Sequence, residues 1–475
     1  MNPVDSLRFF FPELFLLAGA FLVLIFDLFI GNKKSLALIA LLTLAGAALL
    51  TRVPSLSYNL FYGFFTLDPF THYFRFIALG ASAITVLISM SYKQMPKHYE
   101  GEFYALILFL TFGLILMGGS ANLLAIFLSI EFVSLLSYLL VGFLKHDVRS
   151  KEASLKYLLV GSVASGIMLY GMSLLFGISG SLDLATIQQV IAGKKEFTRI
   201  TLFAFIFIST GLGFKISMVP FHAWAPDVYQ AAPTPVTAFL TVAPKALGFA
   251  VFIRVLSSAF VWLGVMWSPV IVLLSILTMT LGNVIAVAQT NVKRLLAYSS
   301  IAQAGYILMG LAVFNETGLS GILIYLAAYA FTNLGAFTAV IVATNASNGN
   351  EELSAFTGLS KRAPFTAACL TVFLLSLAGL PPLAGFIGKF FVFSGTIQAK
   401  YYVLAIAAAI NSAVAAFYYF KIVRQMYLTS SEDEATPVAQ PFGLRLALTL
   451  MLIGVVVTGI LPSPLIQFVK GMLLV

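Results

Sequence analysis

Continuous apolar runs succeed one another along almost the whole chain. A bilayer's hydrocarbon core is about 30 Å thick, and a helix needs about 20 apolar residues to cross it. Such runs occupy 9–30, 35–51, 70–91, 103–118, 121–143, 154–179, 200–219, 234–257, 267–288, 294–314, 319–344, 364–399, 402–428 and 442–468. They do not alternate between polar and apolar residues, which excludes the strands of a membrane barrel. The fold class expected is therefore all-α, a polytopic membrane protein of about 14 transmembrane helices. The run at 364–399 is too long for one straight crossing. Of 475 residues, 60% are hydrophobic and only 9% charged; soluble domains are about half apolar and a quarter charged. A soluble enzyme, a nucleic-acid binder and a disordered chain are all excluded. The first run precedes no cleavage-site pattern and reads as a retained helix.

The net charge of +9 fits inner loops rich in Lys and Arg rather than nucleic acid. With the N-terminus outside, fifteen Lys and Arg fall in inner loops, among them Lys33, Lys145, Lys293 and Arg294. Eight fall outside: Arg8, Arg52, Lys194, Lys195, Arg199, Arg254, Lys400 and Lys470. Both termini are therefore expected on the outer side. One cysteine, Cys369, excludes an intrachain disulfide, a CxxC zinc site and an iron–sulfur cluster. Of the four histidines only His222 sits near the middle of an apolar stretch, which argues against paired haem ligation. Gly388-Lys389-Phe390 lacks the rest of a phosphate loop.

Four ionisable residues stand in apolar surroundings: Glu131, Lys215, Lys245 and Lys389. A charge at the bilayer centre costs about 2.5–3.5 kcal/mol on insertion scales. Such residues face protein or water and mark an ion path. Each alone has a plainer reading: a neutral buried carboxyl, a snorkelling lysine, or a contact with a neighbouring subunit. Together they favour ion transfer, and the chemistry suits protons. An amine taken out of water gives up its proton more readily, and a nearby carboxylate restores its hold. Moving one charge against 150 mV needs about 3.5 kcal/mol, scaling from about 2.3 per 100 mV. Sodium prefers several oxygen ligands, and this interior offers one clear carboxylate. Asp27 and Asp68 read as interfacial.

Proline interrupts two of these segments. One is Gly211-Leu-Gly-Phe-Lys-Ile-Ser-Met-Val-Pro220; the other runs from Ala378 through Pro381 and Pro382 to Lys389. Paired interrupted helices point to inverted-topology repeats with a site near the midplane. The expected organisation is a three-helix segment at 1–102, five-helix repeats at 103–257 and 267–428, and a last transmembrane helix within 442–475. Pro220 and Pro244 are expected to free the carbonyls of Ile216 and Leu240, which can hold water in a cavity. His222 follows Lys215 by seven residues. It is a possible relay, since histidine titrates near neutral pH, or a cap on the break. Lys156 opens a helix on the inner side and is a relay entrance only if water reaches it.

The stretch from Lys215 through Pro220-Phe-His-Ala-Trp-Ala-Pro-Asp227-Val-Tyr-Gln230 to Ala-Pro-Lys245 resembles the antiporter-like, proton-translocating membrane subunits of respiratory complex I. The match extends over most of the chain. Asp227-Val228-Tyr229-Gln230 departs from the Asp-Ala-His-type continuation of the larger members. The resemblance implies that Glu131 and Lys215 form a modulating ion pair, Lys245 is the central relay and Lys389 leads to the opposite surface. It carries Lys156 and His222 over less firmly. It also implies a subunit of a proton-translocating NADH:quinone oxidoreductase in a bacterial inner membrane, driven by quinone reduction elsewhere. Other membrane subunits, antiporter-like paralogues among them, would be its partners. NADH, FMN, iron–sulfur clusters and quinone would belong to those partners, with no cofactor or metal in this chain. Two other readings are a subunit of a multi-subunit cation/proton antiporter and a purely structural anchor.

Overall fold

A computed structural model describes residues 1–51, 57–193, 199–429 and 437–473. Arg52, Lys194 and Lys195, three of the outer charges, lie outside the described residues. Among the described residues, twelve helices are long and apolar enough to cross a membrane, or thirteen when Pro3–Phe9 and Phe11–Asp27, bent by 76°, count as one crossing. The bend falls at Phe10, where Pro12 occupies the first turn of the longer helix and supplies no backbone donor there. The expected run at 364–399 is two helices of 15 residues each, Pro364–Ala378 and Ala384–Gln398. Each is about 22 Å long at 1.5 Å per residue, so neither crosses alone. The final run stops at Ile460, and a short helix, Ser463–Lys470, follows. One departure from an all-α chain is a small antiparallel hairpin, Tyr58–Leu60 with Phe65–Leu67, between the second and third apolar helices.

The centre is the helix Thr234–Ser258, whose membrane window is buried throughout. It has no polar face turned to solvent, as expected of a fully enclosed helix, and its two charges, Lys245 and Arg254, are buried with the rest. Around it pack Pro69–Ser89, Arg199–Ile216 and Glu316–Ala346. Small residues let other neighbours approach backbone to backbone, as is usual in membranes. A Cβ at Gly282 would stand 2.6 Å from the backbone nitrogen of Ala302, and one at Gly305 would stand 2.5 Å from that of Met279. Gly264–Val287 and Val292–Val313 therefore meet along a seam that no larger residue can occupy.

Two connections have the same form in the two halves. Asn122 caps Leu123–Val141 and bridges to Asp183, with Leu123 N–H donating to the Leu182 carbonyl at 2.9 Å. Asn291 caps Val292–Val313 and bridges to Glu352, with Val292 N–H donating to the Glu351 carbonyl at 2.8 Å. In both cases a capping asparagine ties a helix start to the loop beyond the next helix.

Several charges sit differently from the sequence reading. Glu13 is a fully buried carboxylate, so Glu131 is not the only one within the apolar runs; Glu13 pairs with Arg75. His72 is buried beside Arg75, so His222 is not the only histidine inside the protein. Lys293, expected in a solvent-facing inner loop, is buried and donates to the Ala232 carbonyl and to Glu351, each at 2.8 Å. Arg254, expected in an outer segment, is buried too and forks onto Asp68 at 3.0 and 3.2 Å. That pair clamps the N-terminal three helices to the central helix. Asp68 caps Pro69–Ser89 by accepting from Thr71 N–H at 2.7 Å. Burial alone would raise its carboxyl, but the Arg254 guanidinium and the hydrogen bonds from Thr71 together outweigh that and hold it below the usual range.

A carboxyl so depressed contributes stability that is complete above its unfolded value of about 3.9 and is lost as pH falls through the folded one. Asp68→Asn leaves Arg254 buried without a counter-charge, which costs about 3–5 kcal/mol. Thermal melting of the detergent-extracted protein at pH 7 should show the loss. The difference from wild type should narrow only below about pH 4.

Candidate functional site

The two interrupted segments end their first helices in the same way. Arg199–Ile216 stops because Ser217 turns left-handed, with φ +59°. Ser217 N–H then donates to the Phe214 carbonyl at 3.1 Å and Met218 N–H to that of Gly213 at 2.8 Å. Pro364–Ala378 stops at Gly379, φ +89°, where Gly379 N–H donates to the Ser376 carbonyl at 2.9 Å and Leu380 N–H to that of Leu375 at 3.1 Å. This paired closure satisfies carbonyls that a helix end leaves open. Pro220 and Pro382 follow their left-handed residues by three positions, and the Val219–Pro220 and Pro381–Pro382 bonds are cis. Pro220 therefore does not free the Ile216 carbonyl by interrupting a continuing helix, since the helix has already ended. Pro244 does sit inside Thr234–Ser258. The Leu240 carbonyl it releases accepts from the Tyr229 hydroxyl at 3.5 Å.

All three interior lysines are buried, with exposures of 3% for Lys215, 1% for Lys245 and 5% for Lys389. Lys215 donates to Ser134 Oγ at 2.9 Å. Lys245 donates to the Ser300 carbonyl at 2.9 Å and to Ser300 Oγ at 2.5 Å. Lys389 reaches back over its break to the Ala378 carbonyl at 2.9 Å and to Ser412 Oγ at 3.3 Å, with its amine 4.5 Å from the centre of the Tyr306 ring. Each amine thus faces a serine hydroxyl.

Glu131, half-buried, accepts from the Ser165 hydroxyl on the neighbouring helix Val148–Ser179. Among the described residues no ion pair joins it to Lys215 within 4 Å, so the expected pair is not closed. Geometry explains this. Glu131 and Ser134 lie three residues apart on one helix face, about 4.5 Å along the axis, and Lys215 engages the serine while Ser165 engages the glutamate. The stem of Lys215 passes Gly248, one turn beyond Lys245. A Cβ there would stand 2.8 Å from Ile216 Cγ2 and 3.5 Å from Lys215 Cγ.

Uncharged polar groups fill the space between Lys245 and Lys389. Gln303, one turn after Ser300, donates to the Leu377 carbonyl and to the Tyr419 hydroxyl, each at 3.1 Å, and accepts from the Tyr325 hydroxyl. Tyr419 meets Ser299 at 2.6 Å. Asn283 donates to the Tyr306 hydroxyl at 3.1 Å and to the Asn411 side chain at 3.2 Å. A search confined to charges missed all of these. The signal available was a glutamine and a serine pair inside the apolar run 294–314.

Lys156 and His222 stand apart from this line. Lys156 is exposed and pairs with Glu152 at 2.8 Å and with Asp227 at 3.3 Å, where Arg294 also binds at 2.7 Å. His222 is half-buried, and its Nδ1 has no partner among the described residues. It shares no helix face with Lys215, because the helix does not continue past Ile216. Trp224, two residues on, stacks on Tyr157 at 4.3 Å.

Two broken helices, with buried lysines beside each break and on the central helix, define a class of ion-translocating membrane subunit. The comparisons agree with that reading. Residues 120–415 match the family model "NADH:quinone oxidoreductase/Mrp antiporter, TM", and the chain belongs to that family. Within it, the NADH-quinone oxidoreductase subunit N 2 of Sorangium cellulosum (strain So ce56) is 43% identical over 484 residues, covering 96% of each chain. A chain of respiratory complex I from Thermus thermophilus superposes with a TM-score of 0.81 at 30% identity, covering 96% of this chain and 98% of that one. A chain of the Mrp complex from Dietzia sp. DQ12-45-1b shares the fold, with a TM-score of 0.82 at 20% identity, covering 99% of this chain and 97% of that one.

Gly379 offers a test of the second break. A Cβ there would stand 2.7 Å from Lys389 Cδ, in a backbone conformation that costs an L-residue about 1–2 kcal/mol. Gly358 also has positive φ, at +63°, and caps the short helix Leu359–Arg362, which lies before the interrupted segment. Gly379→Ala should lower proton transport by membrane vesicles several-fold more than Gly358→Ala does, at equal protein level.

Proposed function

We propose that the chain is a proton-translocating subunit of a bacterial NADH:quinone oxidoreductase, of the subunit N kind. It would sit in the inner membrane among other membrane subunits, antiporter-like ones included. Protons would pass along Glu131, Lys215, Lys245 and Lys389, driven by quinone reduction elsewhere in the complex. NADH, FMN, iron–sulfur clusters and quinone would be held by the partners, and this chain would carry no redox centre. The fourteen-crossing reading counts the interrupted 364–399 segment as one crossing and the bent N-terminal pair as another, with both termini outside. The two inverted repeats, 103–257 and 267–428, draw support from the paired asparagine bridges and the paired helix closures. Under this topology the bridges fall on opposite faces of the membrane.

The observation that carries the proposal is that three buried lysines each rest on a serine hydroxyl and, among the described residues, have no carboxylate within 4 Å. A hydroxyl accepts from an ammonium and, once the proton has left, donates to the neutral amine. Either protonation state therefore keeps a hydrogen bond, which a fixed carboxylate would not allow so evenly. Glu131 supplies the switchable charge: it lies one turn from Ser134, and a change of partner from Ser165 would bring it to Lys215. A carboxylate that close would strengthen the amine's hold on its proton. Gln303 bridges the Lys245 and Lys389 regions, with water or the tyrosine hydroxyls carrying the proton between them.

Lys245→Met should abolish proton pumping by the assembled complex while its NADH oxidation with an artificial acceptor persists; pumping at the wild-type rate would leave only an anchoring role. Ser300→Ala keeps the carbonyl contact and removes the hydroxyl. It should slow pumping by roughly tenfold, the equivalent of about 1.4 kcal/mol, and a sodium requirement for transport would favour the cation antiporter instead.

A further inference from the structure

A cavity of about 440 Å³ opens where the N-terminal helices meet the hairpin, lined in part by Arg8, Phe11, Leu50, Tyr58, His72 and Arg75. That volume lies in the ordinary range of ligand pockets, about 300–1,000 Å³. No residue of the lysine line contributes to it. The helix Pro3–Phe9 carries Arg8 in its last turn, turns 76° from the helix after it and leaves Val4 and Leu7 exposed. A short helix set across a bundle end with apolar residues exposed has the form of an interfacial helix.

Arg75 gives one terminal nitrogen to Glu13 and the other to His72 Nδ1, at 3.2 Å in the second case. A guanidinium has no acceptor, so Nδ1 accepts and the ring proton is on Nε2. His72 Nε2 and Arg75 Nε are thus both donors. Both are buried, and neither has a partner among the described residues. Buried donors are paired in nearly all native sites. His72 and Arg75, the residues that carry these two unpartnered donors, both line the cavity, and Arg8 adds a further cation at its wall.

We propose that this cavity is a phosphate site in which phosphate oxygens accept from His72 Nε2 and Arg75 Nε. Glu13 and Arg75 neutralise one another, which leaves the charge of Arg8 to match a phosphodiester monoanion. Phe11 and Leu50 offer an apolar wall for acyl chains, so a phospholipid headgroup fits better than free phosphate.

The test uses the assembled complex in nanodiscs of neutral phosphatidylcholine and reads adducts on this subunit by native mass spectrometry. Three probes are added separately: short-chain phosphatidylglycerol, inorganic phosphate and more phosphatidylcholine. Wild type should retain one phosphatidylglycerol, and the double variant Arg8→Gln/His72→Phe should retain at least fivefold less. Arg8→Lys, which keeps the charge, should hold occupancy near the wild-type level. Assembly is checked by unchanged NADH oxidation, since neither residue belongs to the lysine line. Retention of phosphate without phosphatidylglycerol would support the site with a soluble anion as its ligand. Retention of neither probe, equal retention by wild type and variant, or water alone in the cavity would overturn the proposal.

Discussion

An amine buried in protein at membrane depth must be held by something, and here neutral oxygens hold all three. A nearby carboxylate would fix each lysine as a permanent cation, and a purely apolar wall would forbid the cation altogether. Serine hydroxyls and backbone carbonyls fall between those limits. The surrounding architecture delivers them: Ser134 from a helix beside the first break, Ser300 from the helix packed against the centre, and the Ala378 carbonyl from the helix end that Lys389 itself overhangs. The left-handed closures at Ser217 and Gly379 exist at those places because a continuous helix would neither end beside Lys215 nor expose the Ala378 carbonyl.

Much of the architecture was legible in the sequence, because hydrocarbon leaves a helix little freedom in length or composition. The apolar runs correspond to the observed helices, including the interrupted one that was too long to be straight. The four interior charges were legible for the same reason, since each stands alone among apolar neighbours. Prolines located both breaks but not their cause. Pro220 lies four residues beyond Ile216, and the helix ends through the left-handed turn at Ser217, which no residue type announces.

What escaped the sequence depends on distance along the chain. Glu13 and Arg75 are 62 residues apart, and Asp68 and Arg254 are 186 apart. Each looks like a helix-end charge until its partner is placed beside it. Lys293 stands next to Arg294 and read as the same kind of loop charge, yet only Lys293 turns inward, to the Ala232 carbonyl and Glu351. The hydroxyl and amide groups that support the lysines carry no charge, so a reading confined to charges passes over them, although Gln303 and the serine pair before it stand out within their apolar run. The expected contact between Glu131 and Lys215 required a precision of one helical turn, and the two side chains instead take serines on two different helices, Ser165 and Ser134.

The asparagine bridges have a mechanical consequence. Each one fastens the start of a helix to a loop roughly sixty residues later, so the helices in between are laced at their ends like the staves of a hoop. The interrupted helices lie outside that lacing. Among the described residues, the two segments that carry Lys215 and Lys389 thus stand outside the bridged stretches, and their helix ends are closed by their own left-handed turns instead.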